Sequence, residues 1–311
     1  MRSSLLTKRR LLVALVGVLL AVVAWLALAG GPRLPPELAG AVVFVSDRDG
    51  VPALYWRRLP RDRERRLSFG SEPASEPAIS PDGTRVAFAM KGRIGVVAVA
   101  SGEVKLLTLG VDWKDAQPTW LPDGLRLVVS GRRRAGEPAS LHLLEPAPDG
   151  SVPRRPLTQA RAGDDLQPAA SPDGTSVVFV REDRLMRVAL GDGRVTRLSG
   201  GFKRDRSPRF LDPGRLVCAW SEGKKHGIDV IDIATRTRAT LVEGGVFYRT
   251  VAPAPDGRFL AVTRSWDAAL PPLAGLLGQK EAVDLLDATG RERGHLEASR
   301  RYASHSPDWG R

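Results

Sequence analysis

Six short segments of this chain set an aspartate beside proline and glycine. They are Ser80-Pro81-Asp82-Gly83-Thr84, Leu121-Pro122-Asp123-Gly124, Ser171-Pro172-Asp173-Gly174-Thr175, Leu211-Asp212-Pro213-Gly214, Ala254-Pro255-Asp256-Gly257 and Ser306-Pro307-Asp308-Trp309-Gly310. Two carboxylates brought to one site would do acid–base work. Asp82, Asp123, Asp173 and Asp256 instead recur at wide spacing, and a catalytic motif is needed once, so the repeat reads as architecture. The histidines His142, His226, His295 and His305 stand in different segments without the spacing of a zinc site. His305 precedes the last Pro-Asp segment and reads as a packing residue of an inner strand. Cys218 lies in the apolar run Leu216-Val217-Cys218-Ala219-Trp220 and reads as a small buried hydrophobe. A single cysteine excludes an intramolecular disulfide and a cysteine metal cluster. No G-x-S-x-G nucleophile elbow occurs. The residues therefore predict no catalytic constellation, no metal and no cofactor.

What the repeat must do is turn the chain. In Ser-Pro-Asp-Gly, proline presets φ for the first central position of a type I turn, aspartate tolerates the second, and glycine takes φ > 0. That sequence joins two antiparallel strands. Short β-branched apolar runs follow, such as Arg85-Val86-Ala87-Phe88-Ala89 and Ser176-Val177-Val178-Phe179-Val180, as expected of strands packed on both faces. A second apolar run, then a more polar third run, and a short segment before each turn give four strands per unit. The turn glycines recur every 40 to 53 residues. That period with four strands per unit predicts an all-β fold, a β-propeller. Six turns predict six blades. Residues 41–45 look like the strand after a turn, while the last Pro-Asp segment sits at residues 306–310. One blade is therefore expected to draw on both ends of the chain, which closes the ring and leaves no unpaired edge.

The run Val43-Phe44-Val45-Ser46-Asp47-Arg48-Asp49-Gly50, then Arg66-Leu67-Ser68, then Glu76-Pro77-Ala78-Ile79 ahead of the first turn resembles the repeat of TolB-type six-bladed propellers. The resemblance covers residues 41–310. It implies the fold strongly and the function weakly, since the same repeat serves periplasmic TolB, the gating propeller of prolyl-oligopeptidase-like peptidases and many anchored proteins. TolB carries an α/β domain before its propeller, whereas about ten residues separate the apolar segment from the first strand here. The reversed Asp212-Pro213 and the inserted Trp309 predict altered turns in those two blades.

Residues 11–29 are apolar or glycine, preceded by Lys8-Arg9-Arg10. At 1.5 Å per residue such a run matches a hydrocarbon core of ~30 Å, and the charge before it predicts an extracytoplasmic body. The sequence thus divides into a basic region (1–10), a membrane anchor (11–30), a linker (31–40) and a propeller (41–311). The alternative is a signal peptide cleaved near Ala29, releasing the body to the periplasm. The formal charge of +12 is spread among acids, apart from Arg132-Arg133-Arg134 and Lys224-Lys225-His226. No nucleic-acid motif is visible, and no nucleic-acid partner is expected.

Binding, if not chemistry, is expected at the channel. The early positions of the inner strands are Glu76, Gln117, Gln167, Ser207, Thr250 and Tyr302, with Asp115, Asp165 and Arg206 just upstream. A second candidate is the apolar loop at residues 268–278, carrying Leu270, Leu273, Leu276 and Leu277 where a polar turn is expected. The reading is a monomeric, non-catalytic scaffold for a protein or peptide of the bacterial envelope. The alternatives are a lyase- or lactonase-type propeller enzyme and a small-ligand sensor.

Overall fold

The computed structural model describes residues 34–68, 70–109, 111–160, 163–266, 280–296 and 304–310. Among these, twenty-four strands form six four-stranded antiparallel sheets. Blade 1 joins β1 (Ala41–Ser46), β2 (Ala53–Arg58) and β3 (Arg65–Arg66) to β24 (Ser304–Gly310). Blade 2 holds β4 (Ser75–Ile79), β5 (Arg85–Met90), β6 (Arg93–Ala98) and β7 (Val104–Leu106). Blade 3 holds β8 (Lys114–Trp120), β9 (Leu127–Arg132), β10 (Ser140–Leu144) and β11 (Arg154–Pro156). Blade 4 holds β12 (Asp165–Ala170), β13 (Ser176–Arg181), β14 (Arg184–Ala189) and β15 (Val195–Arg197). Blade 5 holds β16 (Arg204–Asp212), β17 (Arg215–Glu222), β18 (Lys225–Asp232) and β19 (Arg238–Gly244). Blade 6 holds β20 (Phe247–Pro253), β21 (Phe259–Trp266), β22 (Lys280–Asp287) and β23 (Glu292–His295). The inner strands touch in the cyclic order β24, β4, β8, β12, β16, β20 and back to β24. This is a six-bladed propeller, as the repeat predicts. No helix among the described residues is long and apolar enough to cross a membrane. The expected anchor lies outside the described residues.

The unalternated apolar strands follow from blade stacking. Every residue of β1 is buried, because both faces of the sheet meet a neighbouring blade. Val42 and Phe44 pack toward blade 6, with Ala252, Phe259 and Leu285. Val43 and Val45 pack toward blade 2, with Ile79, Val86 and Phe88. The outer strand β7 is three residues long and largely exposed, which suits the rim.

The turns behave as their composition requires, with two differences. Gly83, Gly124, Gly174 and Gly257 adopt φ between 68° and 72°. Ser80 Oγ donates to Asp82 Oδ1 at 2.5 Å and accepts the Arg85 amide at 2.9 Å, and Asp82 accepts the Thr84 amide at 3.0 Å. Ser171, Asp173 and Thr175 repeat the arrangement. The reversed Asp212-Pro213-Gly214 makes a tighter turn in which Asp212 pairs directly with Arg215, as its altered order predicts. The last segment is a correction: Ser306-Pro307-Asp308-Trp309 is not a turn but lies within β24, where Asp308 pairs with Val43 and Trp309 with Val42. Its proline matches the strand proline of Glu76-Pro77, not the turn proline Pro81. Five turns of this kind therefore serve six blades, and β24 pairs antiparallel with β1.

Residues 34–40 approach β1 on the turn face. Leu38 is buried in the same cluster as Trp309, whose indole Nε1 donates to Ala39 O at 2.9 Å. Gly40, at φ +91°, comes so near Gly310 that a Cβ would sit 2.3 Å from its carbonyl oxygen.

Candidate functional site: the central channel

Five of the six inner strands carry a bulge at the same point, filled by a proline, whereas in β20 the register shifts one residue earlier, at Arg249. A bulge leaves an unpaired residue, which is where a residue without N–H is tolerated. The residue before the proline is forced to positive φ: Glu76 (53°), Gln117 (53°), Gln167 (54°), Ser207 (49°) and Ser306 (52°). Strain of this kind persists where surrounding contacts over-determine it. Here the contact is a hydrogen bond to the next blade.

The amide of Gln117 donates to Glu76 Oε2 at 3.0 Å, that of Gln167 to Gln117 Oε1 at 2.8 Å, and that of Ser207 to Gln167 Oε1 at 2.7 Å. In blade 6 the proline is replaced by Val251, which keeps its N–H and donates it to Ser207 Oγ at 3.1 Å. Thr250 meets Thr263, hydroxyl to hydroxyl, at 2.6 Å, and Thr263 Oγ1 accepts the Ser306 amide at 3.0 Å. The Ile79 amide donates to Asp308 Oδ2 at 2.7 Å. Every one of the six blade junctions thus carries a side-chain acceptor that receives a backbone amide from the following blade.

Of the residues expected to line the channel, Glu76, Gln117, Gln167 and Thr250 do so. Tyr302 lies outside the described residues, and Ser306 occupies the corresponding place in β24. Asp115 and Asp165 are corrections. They are 1% and 0% exposed and point into the blades: Asp115 Oδ2 is 2.7 Å from Arg154 Nη2, and Asp165 takes Arg181 Nε at 2.6 Å and the Thr158 hydroxyl at 2.5 Å. A carboxylate beside such cations anchors a blade and is not available to a ligand. Arg206 does not line the channel cavities either. Its Nη2 donates to Ser221 Oγ at 2.6 Å, its guanidinium stacks 4.5 Å from the Phe247 ring, and burial pulls its pKa down. The leucines Leu270, Leu273, Leu276 and Leu277 lie outside the described residues. The strand ends that bracket them, Trp266 and Lys280, pair with each other on the face opposite the turns.

Two cavities meet along the axis. The wider, about 630 Å³, opens on the turn face and is walled by Trp120, Trp309, Phe210, Ile79 and the turn prolines. The narrower, about 270 Å³, lies toward the other face and is bounded by the ring of latching residues with Arg249. Arg209 borders both. Two residues beyond each ring residue stand Ala78, Thr119, Ala169, Arg209, Ala252 and Asp308, so Arg209 is the cation at the waist, facing a ring otherwise small apart from Asp308. Its Nη1 donates to Pro208 O at 2.9 Å and its Nε is 4.0 Å from Asp308 Oδ1. Loss of water lowers the Arg209 pKa and raises that of Asp308, with each charge partly restoring the other. Burial likewise raises Glu76, against the opposing hydrogen bonds from Gln117. Arg209, Arg249 and Asp308 escaped the sequence reading, although aligning the repeats two residues past the ring position would have exposed Arg209 and Asp308.

One other group could suggest a metal. Asp284, Glu292 and His295 bring ligand atoms within 4.8 Å of one another. Arg264 already stands there, Nε 2.7 Å from Asp284 Oδ2 and Nη1 3.2 Å from Glu292 Oε2, so a guanidinium fills the place a cation would take.

The architecture defines a six-bladed propeller of the TolB type, with a hydrogen-bonded ring around an open axis. The comparisons agree. No protein-family model matches the chain. A protein TolB homolog from Chlorobium luteolum is 31% identical over 141 residues, covering 45% of this chain and 31% of that protein, so the match spans about a third of the relative's length. TolB from Acinetobacter baumannii superposes with a TM-score of 0.71 at 17% identity, covering 92% of this chain and 70% of that one. An oligogalacturonate lyase in complex with manganese is also similar, with a TM-score of 0.60 at 14% identity over 84% of this chain and 76% of that one. At such identities the structural likeness speaks for fold, and the same fold carries different activities.

Proposed function

We propose that this protein is a non-catalytic scaffold of the bacterial envelope whose propeller binds a protein or peptide partner through the central channel. The observation that carries the reading is the wide cavity on the turn face. Its walls carry Trp120, Trp309, Phe210 and several prolines beside polar groups, with a charged floor at Arg209 and Asp308. Aromatic walls above a few fixed polar groups suit an extended chain better than a reacting centre. The likeness to TolB supports a periplasmic setting, and the basic-then-apolar N-terminal sequence supports anchorage in the inner membrane by residues 11–29. Such an anchor would join the propeller on the turn face, where residues 34–40 arrive.

The test is crosslinking and capture from membranes with the full chain, its Thr119→Trp variant and a deletion of residues 268–278. Thr119 faces the channel without serving as a latch, so tryptophan there fills the passage and leaves the ring intact. The expected result is a captured protein that Thr119→Trp abolishes. Capture undiminished by a filled channel would overturn the reading, and capture lost only in the deletion would move the docking site to the loop.

A further inference from the structure

The latches leave a chemical residue of their own. A glutamine side chain has one acceptor and two donors. In Gln117 and Gln167 the acceptor is committed to the amide of the next blade, and the Gln117 side chain also donates to the Glu76 carboxylate, so the unspent donors are those of Gln167 Nε2. Both side chains border the 270 Å³ compartment, and Gln167 Nε2 has no partner among the described residues. Arg209 and Arg249 border the same compartment. Arg209 spends one hydrogen bond on Pro208 O and keeps Asp308 at 4.0 Å, beyond hydrogen-bond reach. Arg249 is turned partly toward Glu281, Nε to Oε1 2.7 Å. Against these donors the compartment presents one carboxylate, Glu76, whose Oε2 already accepts the Gln117 amide.

A compartment walled by two guanidiniums and the unspent amide group of Gln167 is complementary to an anion, and a planar guanidinium matches a carboxylate best. Its volume falls below the ~300 Å³ at which drug-sized pockets begin, so it suits a small acidic group and not a drug-sized ligand. We infer that the narrow compartment of the channel is a carboxylate-binding site, with Arg209 and the Nε2 group of Gln167 as its donors and Arg249 at its rim. The carboxylate has two possible sources, the free end of a peptide threaded from the turn face or a small organic acid. The inference deepens the channel-binding reading and rests on it for the peptide source alone.

The experiment uses the full chain in detergent and follows the emission of the tryptophans, two of which line the adjoining cavity. The probes are hexa-alanine with a free C-terminus, the same peptide amidated, and sodium succinate, each against sodium chloride of equal ionic strength. The decisive variant is Gln167→Glu, which keeps an oxygen for the Ser207 amide while replacing the donors with negative charge. Arg209→Gln removes the guanidinium, and melting curves show whether each variant folds. Binding of the free-acid peptide or of succinate, weakened about tenfold or more by both variants, supports the site. Preference for the free-acid peptide over its amide assigns the peptide source, and binding of succinate alone assigns the small acid. Binding unchanged in folded Gln167→Glu, or no probe bound by the parent, overturns the site. If the parent still captures a channel-dependent protein partner while no carboxylate binds, the site fails and the scaffold reading stands. If succinate binds through Arg209 and no partner is captured, the site stands and the scaffold reading fails.

Discussion

The side-chain oxygen of Gln117 holds the backbone amide of Gln167 at 2.8 Å across the junction of two blades, and Gln167 passes the same bond on to Ser207. This relationship explains why non-glycine residues tolerate φ near +50° around the axis: the left-handed backbone aims both the side chain and the amide along the ring. Gln117→Leu is expected to keep the volume and lose the acceptor, orphaning one amide at a cost of about 1 kcal/mol, because channel water can partly replace the bond. Denaturant unfolding measures it. A variant as stable as the parent would mean the ring positions are ornament to the fold.

Glu76 performs for Gln117 the task that Gln117 performs for Gln167, but with a carboxylate. Burial raises its pKa, so the charged form is penalised in the folded state. The sign follows: as pH rises from the ordinary carboxylate range through the raised value, the folded protein is slower than the unfolded chain to release its proton and loses stability. Glu76→Gln keeps the acceptor without the charge. It is expected to melt above the parent at pH 7, with the difference shrinking as pH falls through the raised value and vanishing below the ordinary glutamate range near 4.5. A lower melting temperature at neutral pH would contradict the desolvation argument.

The all-β class and the strand runs were legible because two-faced burial repeats in every unit and the turn chemistry in five of them, while the blade number came out at six because the β24 segment stood in for the sixth turn. The misread segment at Ser306-Pro307 shows the limit: proline recurs in most units both in the strand bulge and in the turn, and Asp308 with Gly310 close behind makes the first look like the second despite the inserted Trp309. Around the channel, Glu76, Gln117 and Gln167 were found from position within the repeat. Asp115 and Asp165 were misplaced because strand alternation and the bulge together decide which way a side chain points, and a bulge leaves no reliable mark in composition. Arg209 was missed since it differs from its counterparts in other blades, and a search for repetition passes over what does not repeat.

Asp165 separates structure from binding. It is fully buried and takes both a bidentate guanidinium from Arg181 and the Thr158 hydroxyl. Asp165→Ala leaves that cation uncompensated and is expected to cost about 3 kcal/mol, toward the low end for such pairs since Arg181 retains some access to water. Binding of any channel ligand by the folded fraction should be unchanged. Affinity lost without stability lost would return Asp165 to the channel rim.

Gly83 sits at φ +72° in the first Pro-Asp-Gly turn. Gly83→Val puts a β-branched side chain into a left-handed conformation and is expected to destabilise the protein by ~1–3 kcal/mol. Gly214, where the turn is built differently and φ is not positive, provides the comparison: Gly214→Ala should cost less. Equal losses at the two sites, read from thermal melts, would count against the assigned turn geometry.

Ser80 makes the sharpest pH test. Its hydroxyl donates to Asp82, and this bond, ahead of those from Thr84 and the charge of Arg85, holds the Asp82 carboxyl down at about 2. A lowered folded pKa stabilises above the unfolded value near 4 and forfeits that stability as pH falls toward 2. Carbon-detected NMR of the carboxyl should give a midpoint near 2 in the parent. Ser80→Ala removes the leading donor and also the acceptor of the Arg85 amide, so the midpoint should climb toward the ordinary aspartate range, and the acid limb of the stability curve should begin at higher pH. A midpoint unmoved by Ser80→Ala would assign the depression to Thr84 and Arg85 instead, and with it the role of the first serine in the repeated motif.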